Sequence, residues 1–424
     1  MFMSDILVFK FGGASVKDAD GVKNLVKIVN LNIGKPLLIV VSAMDKTTNW
    51  LEELTRVYFN RGDHTEEILA SVKAYHENIL NDLFEDKKHP VYDIIANTFV
   101  EIEWILEEEP QDDFGFVYDQ IVSIGELVST RIISAYLNQE GLSNQWIDAR
   151  NYIQTDNTYR EGKVDWTKTK QIVQQHIPEI LGKQIGITQG FIGGTSENYT
   201  TTLGREGSDY SAAIFASCLE AQSVTIWKDV PGVLNADPKI FSDTIKYDEL
   251  TYIEALEMTY YGATVIHPKT IKPLQNAGIP LFVKPFGAPE GTGTIISGSA
   301  HSANETSAII VKNNQILLSI STKDLSFISE DLLSDIFSIF AQYRIKINTM
   351  QISAISFTVC FDWDELTAKE ALKKLEEHYI LRYNSDLQLI TIRHYKEDLI
   401  ESLTAGKTIL LKQLSRNTAQ LVIK

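Results

Sequence analysis

Between Asp5 and Phe286 the chain alternates two patterns. Short runs such as "DILVFKF", "KPLLIVVSAM", "GITQGFIGG", "SVTIWKDV" and "IPLFVKPF" are almost continuously apolar, of strand length, and bounded by turn-forming residues. Between them, "DADGVKNLVKIVN", "GELVSTRIISAYLNQEG" and "DYSAAIFASCL" space their apolar residues three or four apart, as helices do. Strands that lack alternation are buried on both faces, so the pattern predicts an α/β fold: a mainly parallel sheet covered by helices. The stretch from Trp50 to Phe116 departs from this. It is charged and helical, and it ends in the acidic "EIEWILEEEPQDD", which reads as a solvated helix face.

A softer stretch follows, "GAPEGTGTIISGSAHSANETS", rich in Gly, Ser, Thr and Pro. Such composition marks a surface connection, and a domain boundary is expected at Thr306, giving domains at 1–305 and 306–424. Beyond it, "QILLSIST", "EDLLSDIFSIFAQYR", "KINTMQIS", "SFTVCFDW", "ELTAKEALKKLEEHY" and "LQLITIRHY" spell β-α-β-β-α-β, the order of a ferredoxin-like domain.

Charge narrows the choice of partner. Lys plus Arg number 39 against 56 Asp plus Glu, a formal charge of −17, so long-range steering repels nucleic acid and anionic membrane. Cys218 and Cys360 form no CxxC or metal spacing and read as buried thiols in a reducing compartment. No apolar run reaches ~18 residues, and "MFMSD" lacks a basic leader, so a cytoplasmic protein is expected.

Four segments offer chemistry. In "KFGGASV", glycines at a strand end leave backbone N–H groups open to an anion, and Lys10 adds a charge; a plain turn beside a snorkelling lysine reads equally well. "TLGREGSDYSAA" gathers Arg205, Ser208 and Asp209 at a helix start, either an anionic-substrate site or an N-cap. Glu126 in "SIGELVSTR" opens another helix, where it can simply complement the dipole. "WKDVPGVLNADPK" joins a strand to a turn-rich loop of the kind that borders nucleotides, or is only a turn. Neither GxxxxGK[ST] nor GxGxxG occurs. "ESLTAGKTI" has Glu401 where the first P-loop glycine belongs and reads as a helix C-cap before a strand.

Taken in order, "KFGGASV", "SAMDKTTN", "GE", "GREGSD", "DVPG" with "DP", and "GATVIHP" make the chain resemble aspartokinase, of the amino-acid kinase family, along nearly its whole length. The trailing β-α-β-β-α-β resembles the ACT regulatory domain of these kinases. The resemblance implies phosphorylation of the L-aspartate side-chain carboxylate by ATP with Mg²⁺, the first step toward lysine, threonine and methionine. It implies that Lys10, Gly12, Gly13 and Ser15 hold phosphate, and that Asp209 organises Lys10. It assigns Arg205, Glu126, Thr48 and Ser208 to aspartate, and Lys228, Asp229, Leu234, Lys239 and Thr264 to the nucleotide. Departures from the family pattern are Ala14 for Thr, Glu206 for Gly, Lys228 for Thr, Leu234 for Tyr, Lys239 for Arg and Thr264 for Lys.

Two ACT units are usual in the family. Here a curtailed second unit is expected, with its closing strand able to pair back into the first. "SFISEDLL" places Glu330 and Asp331 where the family often has glycine, while Asn348 and Ser353 stand where contacts to a lysine or threonine effector are expected. Unpaired sheet edges in the tail point to a homodimer through the ACT region. Other readings are a kinase of glutamate, N-acetylglutamate or carbamate, and a catalytically silent regulatory relative.

Overall fold

The computed structural model describes residues 5–263, 266–299, 306–324 and 326–424. Their contacts divide into two compact units. The first holds the described residues of Met1–Val233, Lys246–Leu256 and Val265–Ser302; the second holds those of Leu234–Ile245, Glu257–Thr264 and Ala303–Lys424. Two short segments ahead of residue 300 thus group with the second unit, and the expected 305/306 boundary falls beside residues outside those described.

In the first unit the strands form an eight-stranded sheet in the order Asn144–Ile147, Ile185–Gln189, Leu37–Val41, Leu7–Phe11, Ser223–Lys228, Leu281–Pro285, Thr294–Ser297, Glu249–Thr251. All neighbours run parallel except Leu281–Pro285 and Thr294–Ser297. Leu7–Phe11 and Leu37–Val41 are buried at every position, as continuous apolar runs at a sheet centre must be. Helix Gly207–Leu219 is apolar nearly all round and almost wholly buried, so it belongs to the core rather than to a surface. The charged stretch after Trp50 resolves into helices Thr47–Phe59, Thr65–Leu83 and Val91–Glu107, with Phe114–Val122 following. "GITQGFIGG" is not one strand. It breaks after Gln189, where Phe191 takes a φ of 69°, and Ile192–Gly194 pairs instead with Thr200–Thr202.

The second unit is a six-stranded antiparallel sheet in the order Ile347–Ile352, Ser356–Asp362, Ala308–Thr322, Tyr379–Arg393, Thr418–Ile423, Ile409–Leu414. The expected β-α-β-β-α-β is present. Helix Glu330–Gln342 and the sheet bury Ile316, Leu318, Ile320, Phe340, Phe357 and Phe361 together. The two central strands, Ala308–Thr322 and Tyr379–Arg393, are each 15 residues long and change register between Lys312 and Leu317. Ahead of that irregularity Ala308–Lys312 pairs with Leu389–Arg393, and Thr418–Ile423 continues the sheet from there. Helix Glu397–Thr404 covers this end, with Ile390, Ile392, Ile400, Ala419, Leu421 and Ile423 forming a second small core. The strand that the tail lacks by itself is therefore supplied from Ala308–Lys312, ahead of the first ACT-like unit. In "ESLTAGKTI" the helix ends at Thr404, Gly406 turns at φ 72°, and strand Ile409–Leu414 follows. Among the described residues no helix is long and apolar enough to cross a membrane, and Cys218 and Cys360 are free and buried.

Candidate active site

Lys10 is the fourth residue of strand Leu7–Phe11, in register with Val40 on one side and Ile226 on the other. An ammonium there needs a counter-charge, because a buried lone cation costs several kcal/mol. Asp209, in the first turn of helix Gly207–Leu219, supplies it: its Oδ1 lies 2.6 Å from Lys10 Nζ, and its Oδ2 lies 3.5 Å from Lys228 Nζ. Burial alone would raise the carboxyl's pKa, but the two ammonium groups more than offset it and hold it below the ordinary aspartate value.

The glycines after Lys10 have different reasons. A Cβ at Gly13 would stand 2.5 Å from the Ala43 carbonyl oxygen, so only glycine lets the two loops touch, and Asp45 N–H donates to the Gly13 carbonyl there. At Gly12 the nearest atom to such a Cβ is Lys10 Nζ, 3.4 Å away, so the missing side chain keeps room around the ammonium. Ser15 serves the loop's shape: its N–H donates to the Gly12 carbonyl and its hydroxyl to the Trp227 carbonyl.

Glu126, third in helix Ile124–Gln139, is 2% exposed. Ala43 N–H donates to its Oε1 at 3.4 Å, while Oε2 finds no hydrogen-bond partner among the described residues. Burial pushes the carboxyl up to about 8. The helix start presses close to the Ala43–Thr47 loop, since a Cβ at Gly125 would meet the Ala43 and Thr47 side chains at 3.0 and 3.1 Å. Thr47 is buried and donates to the Met44 carbonyl, whereas its neighbour Thr48 is only half-buried.

Ser208 is buried against the end of strand Ile185–Gln189; a Cβ on Gly190 would come within 2.5 Å of its own Cβ. Arg205 and Glu206 just before it are exposed. Glu206 has φ 56°, the left-handed conformation in which glycine is easiest, which gives a physical reason for glycine in the family pattern. Asp119 was not singled out by the sequence. It is buried, its Oδ1 accepts from the Thr202 hydroxyl, and its Oδ2 accepts from the N–H groups of Thr202 and Arg160. It fastens strand Thr200–Thr202, which leads to Arg205; the visible signal was only an aspartate amid the apolar helix "FGFVYDQIV".

The structure thus brings Lys10, Asp209 and Lys228 into one cluster, and Glu126, Gly13 and the Ala43–Thr47 loop into another arrangement joined through Ala43. Asp229 is exposed directly after strand Ser223–Lys228. Leu234 and Lys239 lie in the segment that groups with the second unit, and Thr264 lies outside the described residues. In the second unit Asn348 is held by side-chain bonds and Ser353 closes the turn to Ser356, so the two stand at opposite ends of strand Ile347–Ile352.

Comparison with known proteins identifies the family of the chain. A family profile described as "Amino acid kinase family" matches residues 5–285. Lysine-sensitive aspartokinase 3 of Escherichia coli (strain K12) is 30% identical over 416 residues, 96% of this chain and 90% of that protein. The aspartokinase of Chlamydia trachomatis is 30% identical over 391 residues, 91% of this chain and 86% of that one. The crystal structure of E. coli aspartokinase III in complex with aspartate and ADP, in the R-state, superposes with a TM-score of 0.83 at 27% identity, covering 99% of this chain and 96% of that one. The same enzyme with lysine and aspartate, in the T-state, gives 0.81 at the same identity and coverage. Since the likeness takes in the second unit as fully as the first, the chain belongs to the aspartokinases of the amino acid kinase family.

Proposed function

We propose that this chain transfers the γ-phosphoryl group of ATP to the side-chain carboxylate of L-aspartate, giving ADP and 4-phospho-L-aspartate, and that it does so in the cytoplasm. One observation carries the reading: an ammonium pair on buried Asp209 stands in the same unit as a buried carboxyl, Glu126, with one oxygen unpartnered among the described residues. Joining two anions requires neutralisation and alignment more than covalent chemistry, because the loose transition state spreads charge over the equatorial oxygens. Lys10, with the backbone at Gly12 and Gly13, answers the phosphate. Glu126 answers the substrate ammonium and exposed Arg205 its α-carboxylate, with Thr48 and Ser208 lining the pocket. The described residues hold no group of three His, Cys, Asp or Glu able to bind a metal unaided. By the resemblance, magnesium would arrive with the nucleotide and would supply neutralising charge beside Lys10. Asp229, Leu234, Lys239 and Thr264 border the nucleotide by the resemblance. The second unit pairs two copies of the chain and senses lysine or threonine near Asn348 and Ser353; a relative's lysine-bound T-state favours lysine. A coupled ADP-release assay tests the reaction: turnover with aspartate, and none with glutamate or N-acetylglutamate, is the expected result. Turnover favouring either of the latter overturns it.

A further inference from the structure

We infer that Lys228 is a second cation of the transfer centre, sharing Asp209 with Lys10 and acting directly on the phosphate oxygens of the nucleotide. The inference rests on the phosphoryl-transfer reading above and names a residue the chemistry would use.

Three observations carry it. The first is register. Strands Leu7–Phe11 and Ser223–Lys228 are parallel neighbours with Lys10 opposite Ile226. Side chains two residues apart in a strand share a face, so Lys228 stands on the face of Lys10, one pleat nearer the carboxyl end of the sheet. Ligands of open α/β sheets lie at that end.

The second is stoichiometry. Lys10 Nζ, at 2.6 Å from Asp209, already balances that carboxylate, and both side chains are nearly sealed from solvent, at 8% and 0% exposure. Lys228 brings another ammonium to the same group at 3.5 Å, with its side chain only 19% exposed. Within this trio positive charge exceeds negative by one. An anionic phosphoryl group in transit, its charge spread over three oxygens, has a direct use for it.

The third is rigidity. The strand end that bears Lys228 is held on both sides: Ser15 Oγ donates to the Trp227 carbonyl, and Phe286 N–H donates to the Lys228 carbonyl at 2.6 Å. Ser15 belongs to the glycine loop that follows Lys10, so the two lysines are fixed in one frame. Lys228, the longer and more exposed of the two contacts, is the one placed to exchange part of its interaction with Asp209 for a phosphate oxygen.

The test uses the full chain and three variants, Lys228→Met, Lys228→Gln and Lys228→Arg. Turnover and KM are measured by ADP release, and binding of ADP and of adenosine by calorimetry. Lys228→Met should lower kcat by about 10- to 100-fold, as removal of one charge-stabilising donor does. The KM for aspartate should move less than about threefold, ADP binding should weaken while adenosine binding does not, and Lys228→Arg should recover most of the loss. Should Lys228→Met fail to fold, Lys228→Gln keeps a hydrogen bond to Asp209 without the charge and carries the same expectation. Wild-type kcat and ADP affinity in the neutral variants would overturn the inference, as would equal losses in the neutral and arginine variants. If the unaltered chain released no ADP with aspartate, the reaction itself would be wrong; selective loss of ADP binding would still support Lys228 as a phosphate cation, and its absence would overturn that too.

Discussion

Each unit contains a partly buried polar cluster, and the two are finished differently. In the second unit Lys312 Nζ donates to Asn348 Oδ1 at 2.8 Å and lies 3.7 Å from Asp362 Oδ2; Asn348 Nδ2 donates to Gln315 Oε1 at 2.8 Å, and Gln315 Nε2 to Asp362 Oδ1 at 2.6 Å. Donors and acceptors there satisfy one another. In the first unit two ammonium groups meet one carboxylate, and Glu126 keeps an oxygen without a partner among the described residues. A closed network contributes shape and stability at the register irregularity of the sheet, whereas an open one stays unfavourable until something completes it. On the proposed reading, the open cluster is the one a substrate completes.

That contrast is broken most severely at Lys10. On the proposed reading its charge acts on the reacting phosphate, so Lys10→Ala should reduce kcat by ~10²-fold or more while circular dichroism stays native. Near-normal turnover in a folded variant would remove Lys10 from the chemistry.

Glu126→Gln comes next. It removes the charge-assisted partner proposed for the substrate ammonium, worth roughly 1.5–3 kcal/mol, so aspartate affinity should fall by about 10- to 150-fold with ATP affinity largely kept. It also has a pH signature. Burial raises the folded-state pKa of Glu126 from 4.5 to about 8, so its stabilising contribution is complete below about 4.5 and is lost as pH rises through about 8. Asp119, raised to about 6, contributes in the same direction over a lower window, and buried His76, lowered from 6.5 to about 4, contributes in the opposite direction up to about pH 6.5, leaving pH 6.5–8 to Glu126. In thermal melts without ligand, the unaltered chain should lose stability across pH 6.5–8 and Glu126→Gln should not.

The closed network gives a smaller and opposite result. Asn348→Ala leaves Lys312 and Gln315 each short of a partner and should cost about 1–3 kcal/mol in urea unfolding of the full chain, yet kcat without effector should be unchanged. A large drop in kcat would show that this network is not merely structural.

The smallest effect is expected at Glu206. Glu206→Gly removes a left-handed non-glycine residue, worth up to about 1 kcal/mol of strain. Activity should persist and ATP should bind slightly more tightly. Collapse of activity would make the carboxylate a working group.

The parallel sheet and the ferredoxin-like unit were legible because hydrophobic periodicity is local. Lys10, Glu126, Arg205 and Asp209 were legible as residue types at strand and helix ends. What escaped depends on distant pairing. Nothing along the sequence says that Leu7–Phe11 lies beside Ser223–Lys228, so the Lys228–Asp209 contact emerges only in three dimensions. "GITQGFIGG" hid its break because the turn uses Phe191 rather than a turn-forming residue. The second ACT-like half was expected only in curtailed form; the strand that completes it escaped because one 15-residue strand, Ala308–Thr322, serves both halves through a register shift that leaves no sequence mark. Asp119 escaped because its partners, Arg160 and Thr202, come from separate loops and strands.

Completion of Glu126 by a substrate ammonium, as proposed above, would release a proton. At pH 7 a carboxyl with a pKa of about 8 is mostly protonated; an ammonium arriving at Oε2 ionises it, so aspartate binding should expel about one proton per site. Calorimetry of aspartate binding in two buffers of different ionisation enthalpy measures this. The expected result is a buffer-dependent enthalpy in the unaltered chain that disappears in Glu126→Gln; the same enthalpy in both buffers for the unaltered chain would contradict it.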